Sequence, residues 1–228
     1  MDHQVLGRAG DPPRVRVLVA ALPESIFRKH VRMLTQAGLD AHFVEPATLA
    51  LANETAARAD RTGGVLLDIG HQASNLIVLL EDGRFFARRI EPGGQVFTGA
   101  IMHHFGMAEA SAQELKHAVG LGPATGDVSA EARQVPALLS PVADQLVFEL
   151  RRSLTFAETL PGFPHGFATL TLSGGGALLA GLPPLLARTL GVEIQILDPS
   201  PGLPIGVRGD DSPPTVFTHA VGLLERWL

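Results

Sequence analysis

The chain has 228 residues, 46% of them apolar and 18% charged, with a formal net charge of −5. That balance belongs to a folded chain with a sizeable core, and it offers no basic stripe for nucleic acid. There is no cysteine, which excludes disulfides, thiolate metal sites and a cysteine nucleophile and fits a cytosolic compartment. No stretch approaches the ~18 apolar residues of a membrane span. Met1-Asp2-His3-Gln4 has neither the basic nor the apolar region of a signal peptide.

Arg14–Ala20 alternates and then turns apolar, which predicts a strand with one wet face at its start. Pro23 opens a helix with Ile26, Phe27, His30, Met33, Leu34 and Ala37 as its apolar stripe, and Gly38 ends it. Ala41–Glu45 reads as a short strand. Pro46 opens a second helix to about Asp60, with Leu49, Leu51, Ala52 and Ala56 as its buried positions. Gly64–Ile69 is apolar on both faces, as a central strand is. Ser74–Leu80 and Arg84–Ile90 flank Asp82-Gly83, a two-residue hairpin signal.

Val96–Val119 is helical with a break near Gly106, and Gly120–Val128 is a loop. A long helix follows, clearest from Val142 to Thr159, with Val142, Leu146, Val147, Leu150, Leu154 and Ala157 inward. Phe167–Leu172 is a strand, Ala177–Leu190 a helix and Val192–Leu197 a strand. A Pro/Gly/Asp loop over Pro199–Pro214 leads to a last helix, Thr215–Leu228. Helices alternating with strands make this an α/β chain with a mixed sheet.

Two segments carry chemistry. In Asp68-Ile69-Gly70-His71-Gln72-Ala73-Ser74-Asn75, Gly70 lets backbone N–H groups converge on a phosphate. Asp68 can accept from the water shell of a Mg²⁺, and Ser74 can add a hydroxyl donor. The plainer reading is an ordinary hairpin. In Ser173-Gly174-Gly175-Gly176, three glycines between a strand and a helix let a planar or anionic group reach the backbone.

A Rossmann dinucleotide site competes for the second segment, because Asp198 ends the next strand about 22 residues after Gly176. Its glycine fingerprint fails, since the third glycine position holds Leu179. His103 and His104 are adjacent and leave a helix on different sides, and no His-Glu-x-x-His, Walker A lysine or Gly-x-Ser-x-Gly pattern occurs.

Taken together these residues resemble the family of the type IV pilus assembly protein PilM, bacterial actin-like proteins related to the cell-division protein FtsA. Asp68-Ile69-Gly70 looks like its second phosphate motif. Asp82-Gly83-Arg84 and Pro92-Gly93-Gly94 fall on its hairpin and following turn. Leu172-Ser173-Gly174-Gly175-Gly176-Ala177 with Leu182-Pro183 looks like the adenosine motif, and Ala220-Val221-Gly222 resembles the last helix.

The resemblance implies an actin-like, ribonuclease H-like α/β fold with mixed sheets and flanking helices, incomplete at the N-terminus. The expected parts are a remnant of the small inserted subdomain over 1–45, the second part of subdomain 1A over 46–92, and domain 2 over 93–228. It implies ATP and Mg²⁺ as ligands, with Asp68, Gly70 and Ser74 at the phosphates, Asp68 reaching the Mg²⁺ through water, Lys116 on the ribose side, and Ser173, Gly174, Gly175 and Gly176 at the adenosine. It implies a scaffold peripheral to the inner membrane that holds the N-terminal cytoplasmic tail of a PilN-like membrane protein, and it leaves a homo-oligomer open.

Two departures stand out. The family's first phosphate hairpin has no counterpart here, and half a clamp leaves the phosphates wet and the binding weak or absent. In Ala112-Gln113-Glu114-Leu115-Lys116, Gln113 stands where the family commonly has an acid. An ATP-hydrolysing enzyme or sugar kinase of the same broad fold, and a form that binds no nucleotide, are the alternatives. At most a weak ATPase is expected.

Overall fold

The computed structural model describes residues 2–9, 14–58, 63–123, 129–165, 167–201 and 212–225, which fall into two units, 1–47 and 48–228. In the first unit β1 (Asp2–Ala9) pairs antiparallel with β2 (Arg14–Ala20), the register slipping between Val5 and Gly7. β2 has the bounds that its alternation predicts, whereas β1 was not anticipated. Helix α1 (Glu24–Gln36) starts after Pro23. None of its residues is buried, and Ile26, Phe27 and Met33 are exposed, so the expected inward stripe is corrected. Periodicity says which residues share a helix face; it does not say that anything covers that face. Residues 37–46 form no strand. The run Ala41–Glu45 has β-compatible residues but no paired neighbour, and a strand exists only as part of a ladder.

The second unit runs α2 (Ala47–Arg58), β3 (Gly64–Ile69), β4 (Ser74–Leu79), β5 (Phe85–Ile90), α3 (Gly94–Phe105), α4 (Glu109–Val119) and α5 (Ala130–Ala157). It continues with β6 (Thr169–Ser173), a 3-10 turn (Gly175–Leu178), α6 (Leu182–Leu190), β7 (Glu193–Ile196), a second 3-10 turn (Pro214–Phe217) and α7 (Thr218–Glu225). The five strands form one sheet in the order β5-β4-β3-β6-β7. β3, β4 and β5 are antiparallel neighbours, and β6 and β7 run parallel to β3.

The hairpin strands and the strands after residue 168 are hydrogen-bonded into one sheet, so the two glycine turns leave neighbouring strands. A crossover through α3, α4 and α5 returns β6 beside β3.

β3 is central, and its alternation decides the rest. Val65, Leu67 and Ile69 enter a core shared with Phe97 and Ile101 of α3, Leu139, Leu146 and Leu150 of α5, and Leu170 and Leu172 of β6. Leu66 faces the other side and packs with Leu51 and Ala52 of α2. Asp68 follows Leu66 on that second face, as Thr169, Thr171 and Ser173 do on β6.

Helix α5 begins earlier than its clear apolar stripe suggests. The Ser129 hydroxyl caps it by accepting from the Ala132 N–H at 3.2 Å. Pro136 and Pro141 lie inside it but off the buried line of Ala132, Val135, Leu139 and Ala143, so core packing carries the helix through them. The single helix expected over Ala177–Leu190 is two pieces. The 3-10 segment ends at Leu178, and Gly181, at φ +83°, caps the start of α6 at Leu182 with Pro183 in its first turn. The last helix is likewise a 3-10 turn followed by α7. Residues 124–128, 202–211 and 226–228 of the expected loops and last helix lie outside the described residues.

Helix α2 buries Ala50, Leu51, Ala52 and Glu54, while Ala56 is exposed and Leu49 half-buried. The apolar-only reading therefore missed an acid in the core. Glu54 is 1% exposed, takes the Arg58 Nε–H at 2.5 Å on Oε1, and has no partner for Oε2. Burial raises its carboxyl above the ordinary range, Arg58 opposes that rise and the Glu225 charge adds to it. A raised folded-state pKa means the folded chain binds this proton more tightly than the unfolded chain. The contribution is thus fully present below the unfolded glutamate range and is lost as pH rises through the folded value. The melting temperature is expected to fall from acid to neutral pH by an increment that Glu54→Gln removes. Parallel profiles for the two proteins would refute this.

Candidate functional site

The first glycine turn is tied to the helix that follows the hairpin. The Gly70 N–H donates to the Ala73 carbonyl at 3.1 Å, the Gly94 N–H to Gly70 O at 2.8 Å and the Gln95 N–H to His71 O at 2.7 Å. The start of α3 is thereby clamped onto the β3–β4 turn. Gly93 has to be glycine for that contact, because a Cβ there would sit 2.3 Å from the Ala73 nitrogen. Ser74, expected at the phosphates, is fully buried and donates to the Pro92 carbonyl at 2.8 Å. Its hydroxyl closes the hairpin and does not face the cleft.

The second glycine turn leaves the end of β6, beside the end of β3. The register pairs Asp68 with Ser173, and the Ser173 hydroxyl donates to Asp68 Oδ1 at 2.9 Å. Both side chains are buried. Gly174 has φ +79°, and a Cβ on it would lie 2.6 Å from Ile69 O and 2.9 Å from Asp68 Oδ1. A Cβ on Gly176 would lie 2.2 Å from Ile69 Cγ2. These two glycines let one strand end pack against the other. Gly175 is different, with only Val216 Cγ1 at 3.9 Å in front of it. It packs against neither strand end, and with Gly176 it faces the cavity between the two turns.

A cavity of about 570 Å³ lies between the two turns. Gly70, Lys116, Gly175 and Gly176, predicted far apart in sequence, all line it. Gln113 lines it one turn before Lys116 on α4, while Glu114 is absent from the lining, so the register does not shift to restore an acid. His71, Phe97, His117, Pro213 and Val216 also line it and are not among the residues that the sequence singles out. His71 abuts a predicted residue and was within reach, whereas nothing local marks Pro213 or Val216. Asp68, Ser173 and Gly174 form the layer beneath the wall and are not part of its surface.

Lys116 is half-buried and donates to Thr98 Oγ1 at 2.9 Å, and Thr98 in turn donates to Gly94 O at 3.3 Å. Burial lowers the Lys116 pKa, with Glu109 pulling it back up. Burial and the neighbouring Lys116 charge lower that of His117. No acid lines the cavity among the described residues. The wall is thus short of negative charge around one desolvated cation, an environment that an anionic ligand relieves.

Below the wall, Asp68 Oδ2 and Thr215 Oγ1 are buried without a hydrogen-bond partner, and the imidazole Nε2 of His219 on α7 lies 3.7 Å from Asp68 Oδ2. A nucleotide with Mg²⁺ fits this donor set. The turns and Lys116 suit phosphates, Phe97, Leu178 and Val216 suit a base, and an orphaned carboxylate oxygen suits the hydrated ion. Among the described residues no group of three or more His, Cys, Asp or Glu side chains could hold a metal alone.

An antiparallel hairpin extended by two parallel strands, with glycine turns at adjacent strand ends over a cleft, defines a protein of the actin-like class. The sequence matches the family described as type IV pilus assembly protein PilM over residues 1–219, and the chain belongs to that family. The solved structure of a PilM-PilN type IV pilus biogenesis complex is similar, with a TM-score of 0.78 at 26% identity, covering 99% of this chain and 65% of that one. MreB 5 of Spiroplasma citri bound to AMPPNP shares the fold, with a TM-score of 0.62 at 13% identity over 91% of this chain and 66% of its own. The cell shape-determining protein MreB of Escherichia coli (strain K12) is 24% identical over 212 residues, 82% of this chain and 61% of its own length. The chain spans less than two thirds of each of these relatives. No helix among the described residues is long and apolar enough to cross a membrane.

Proposed function

We propose that this chain is a nucleotide-binding, actin-like scaffold of a type IV pilus inner-membrane assembly platform, holding the cytoplasmic tail of a PilN-like membrane partner. Gly70 meets the phosphates, Gly175 and Gly176 the nucleoside, and Asp68 the hydrated Mg²⁺ from beneath. Lys116, expected on the ribose side, is read as a phosphate contact instead, because its bond to Thr98, and through it to Gly94, ties it to the Gly70 turn. The observation that carries this reading is the convergence of Gly70, Lys116, Gly175 and Gly176 on one cavity without a lining acid. Bound Mg²⁺ would neutralise phosphate charge. The chain's own residues bind and orient, and none is assigned to hydrolysis.

The test is calorimetric titration of the full chain with Mg-ATP and Mg-ADP. Micromolar binding is expected, weakened about tenfold in Lys116→Met, since a charge-assisted contact contributes about 1.5 kcal/mol. The lysine is charged below its depressed pKa and a phosphate needs it charged. Affinity therefore falls as pH rises through that pKa, a fall that Lys116→Met does not show. No binding by the folded chain, or equal binding by the variant, would sink the reading.

A further inference from the structure

The start of α7 contributes to the same site. Asp68 is held by Ser173 on one oxygen only; its other oxygen is buried, unpartnered, and faces His219 across 3.7 Å. That gap is too long for a direct hydrogen bond and suits a shared water or a loose ion pair. The His219 side chain is 38% exposed, so it joins the buried carboxylate to solvent. The same segment supplies the orphaned Thr215 hydroxyl and, through its carbonyl, the acceptor for the Gly174 N–H at 3.1 Å. Thr218 donates to that carbonyl at 2.8 Å, which fixes the turn immediately before His219. Ser173 and His219 thus flank the carboxylate from two different elements.

We infer that His219 is a positioning residue for Asp68, setting the orientation in which the carboxylate meets a hydrated divalent cation, and that the 215–219 segment is part of the nucleotide site. This rests on the nucleotide reading above. A group that only supports the fold would weaken all ligands alike. A group that orients Asp68 changes the effect of the metal and leaves metal-free binding alone.

The experiment measures ADP affinity with Mg²⁺ and with a chelator, for the full wild-type chain, His219→Ala, His219→Gln and Asp68→Asn, each checked for folding by circular dichroism. In the wild type Mg²⁺ is expected to tighten binding. In His219→Ala that enhancement falls by about tenfold towards the Asp68→Asn level, as for other residues that orient a metal's ligand, while chelator affinity holds. His219→Gln, which keeps a polar group at that reach, recovers part of it. Wild-type enhancement retained in His219→Ala, or its loss together with metal-free affinity, overturns the role of His219 alone. No ADP binding by the folded wild type overturns this inference together with the nucleotide reading.

Discussion

Gly222→Ala is expected to cost about 3 kcal/mol or more of stability, the upper end of what overpacking does to a core. A Cβ on Gly222 would stand 1.9 Å from the Ala50 carbonyl oxygen and 2.7 Å from its carbon. Both obstacles are backbone inside helix α2, so no rotamer change relieves them. The same crossing carries a hydrogen bond from Asn53 Nδ2 to Gly222 O at 3.3 Å, and Glu54 Cβ lies 3.1 Å from the built Cβ. Separating the helices to admit a methyl group would break that bond and open the packing around Leu51 and Ala52. Thermal or urea unfolding measures the loss. A variant within about 0.5 kcal/mol of wild type, the range of a neutral surface change, would show that α2 and α7 do not cross this closely.

The glycine turn after β6 is expected to separate into a structural and a functional part. Gly174→Ala combines a left-handed φ of +79° with a Cβ 2.6 Å from Ile69 O, so about 2 kcal/mol or more of stability should go, with the Asp68–Ser173 contact disturbed. Gly175→Ala meets only Val216 Cγ1 at 3.9 Å, an ordinary contact, and should fold like the wild type. Its methyl group lies where a ligand would approach the turn, so nucleotide affinity should drop while the melting temperature holds. A Gly175→Ala variant with full affinity would move the nucleoside away from this turn. A Gly174→Ala variant as stable as wild type would mean that the ends of β3 and β6 are further apart than described.

Most of the sheet could be read from sequence because its strands carry strong local marks. Gly64–Ile69 is apolar on both faces, and Asp82-Gly83 forces a hairpin between β4 and β5. What could not be read was spatial adjacency. Nothing in Thr169–Ser173 says that it lies parallel to β3, so the nearness of the two glycine turns is not visible in sequence. The same gap explains the site. Backbone chemistry and family resemblance point to Gly70, Lys116, Gly175 and Gly176, and the four line one cavity, but the depth at which each residue sits is not visible in sequence. Ser74 and Ser173 have hydroxyls suited to phosphate, and the fold spends both on internal bonds. His219 carries no local mark, because its place beside Asp68 comes only from the fold. The stripe on α1 failed for a related reason: amphipathic spacing identifies a face but not its cover.

The two glycine turns leave strands that are hydrogen-bonded neighbours, so the gap between them is set by the spacing of one β-ladder, roughly 4.8 Å. Such a spacing cannot widen without breaking the middle of the sheet. Mechanically the turns are the fixed jaw of a vice. Any compliance on the wall must come from parts mounted outside the sheet: α4, with Lys116 and Gln113, and the segment bearing Pro213 and Val216. A ligand too large for the cavity would be accommodated by displacing those parts, and the work of admitting it would appear as motion of α4 or of the approach to α7, never as a change between the turns themselves.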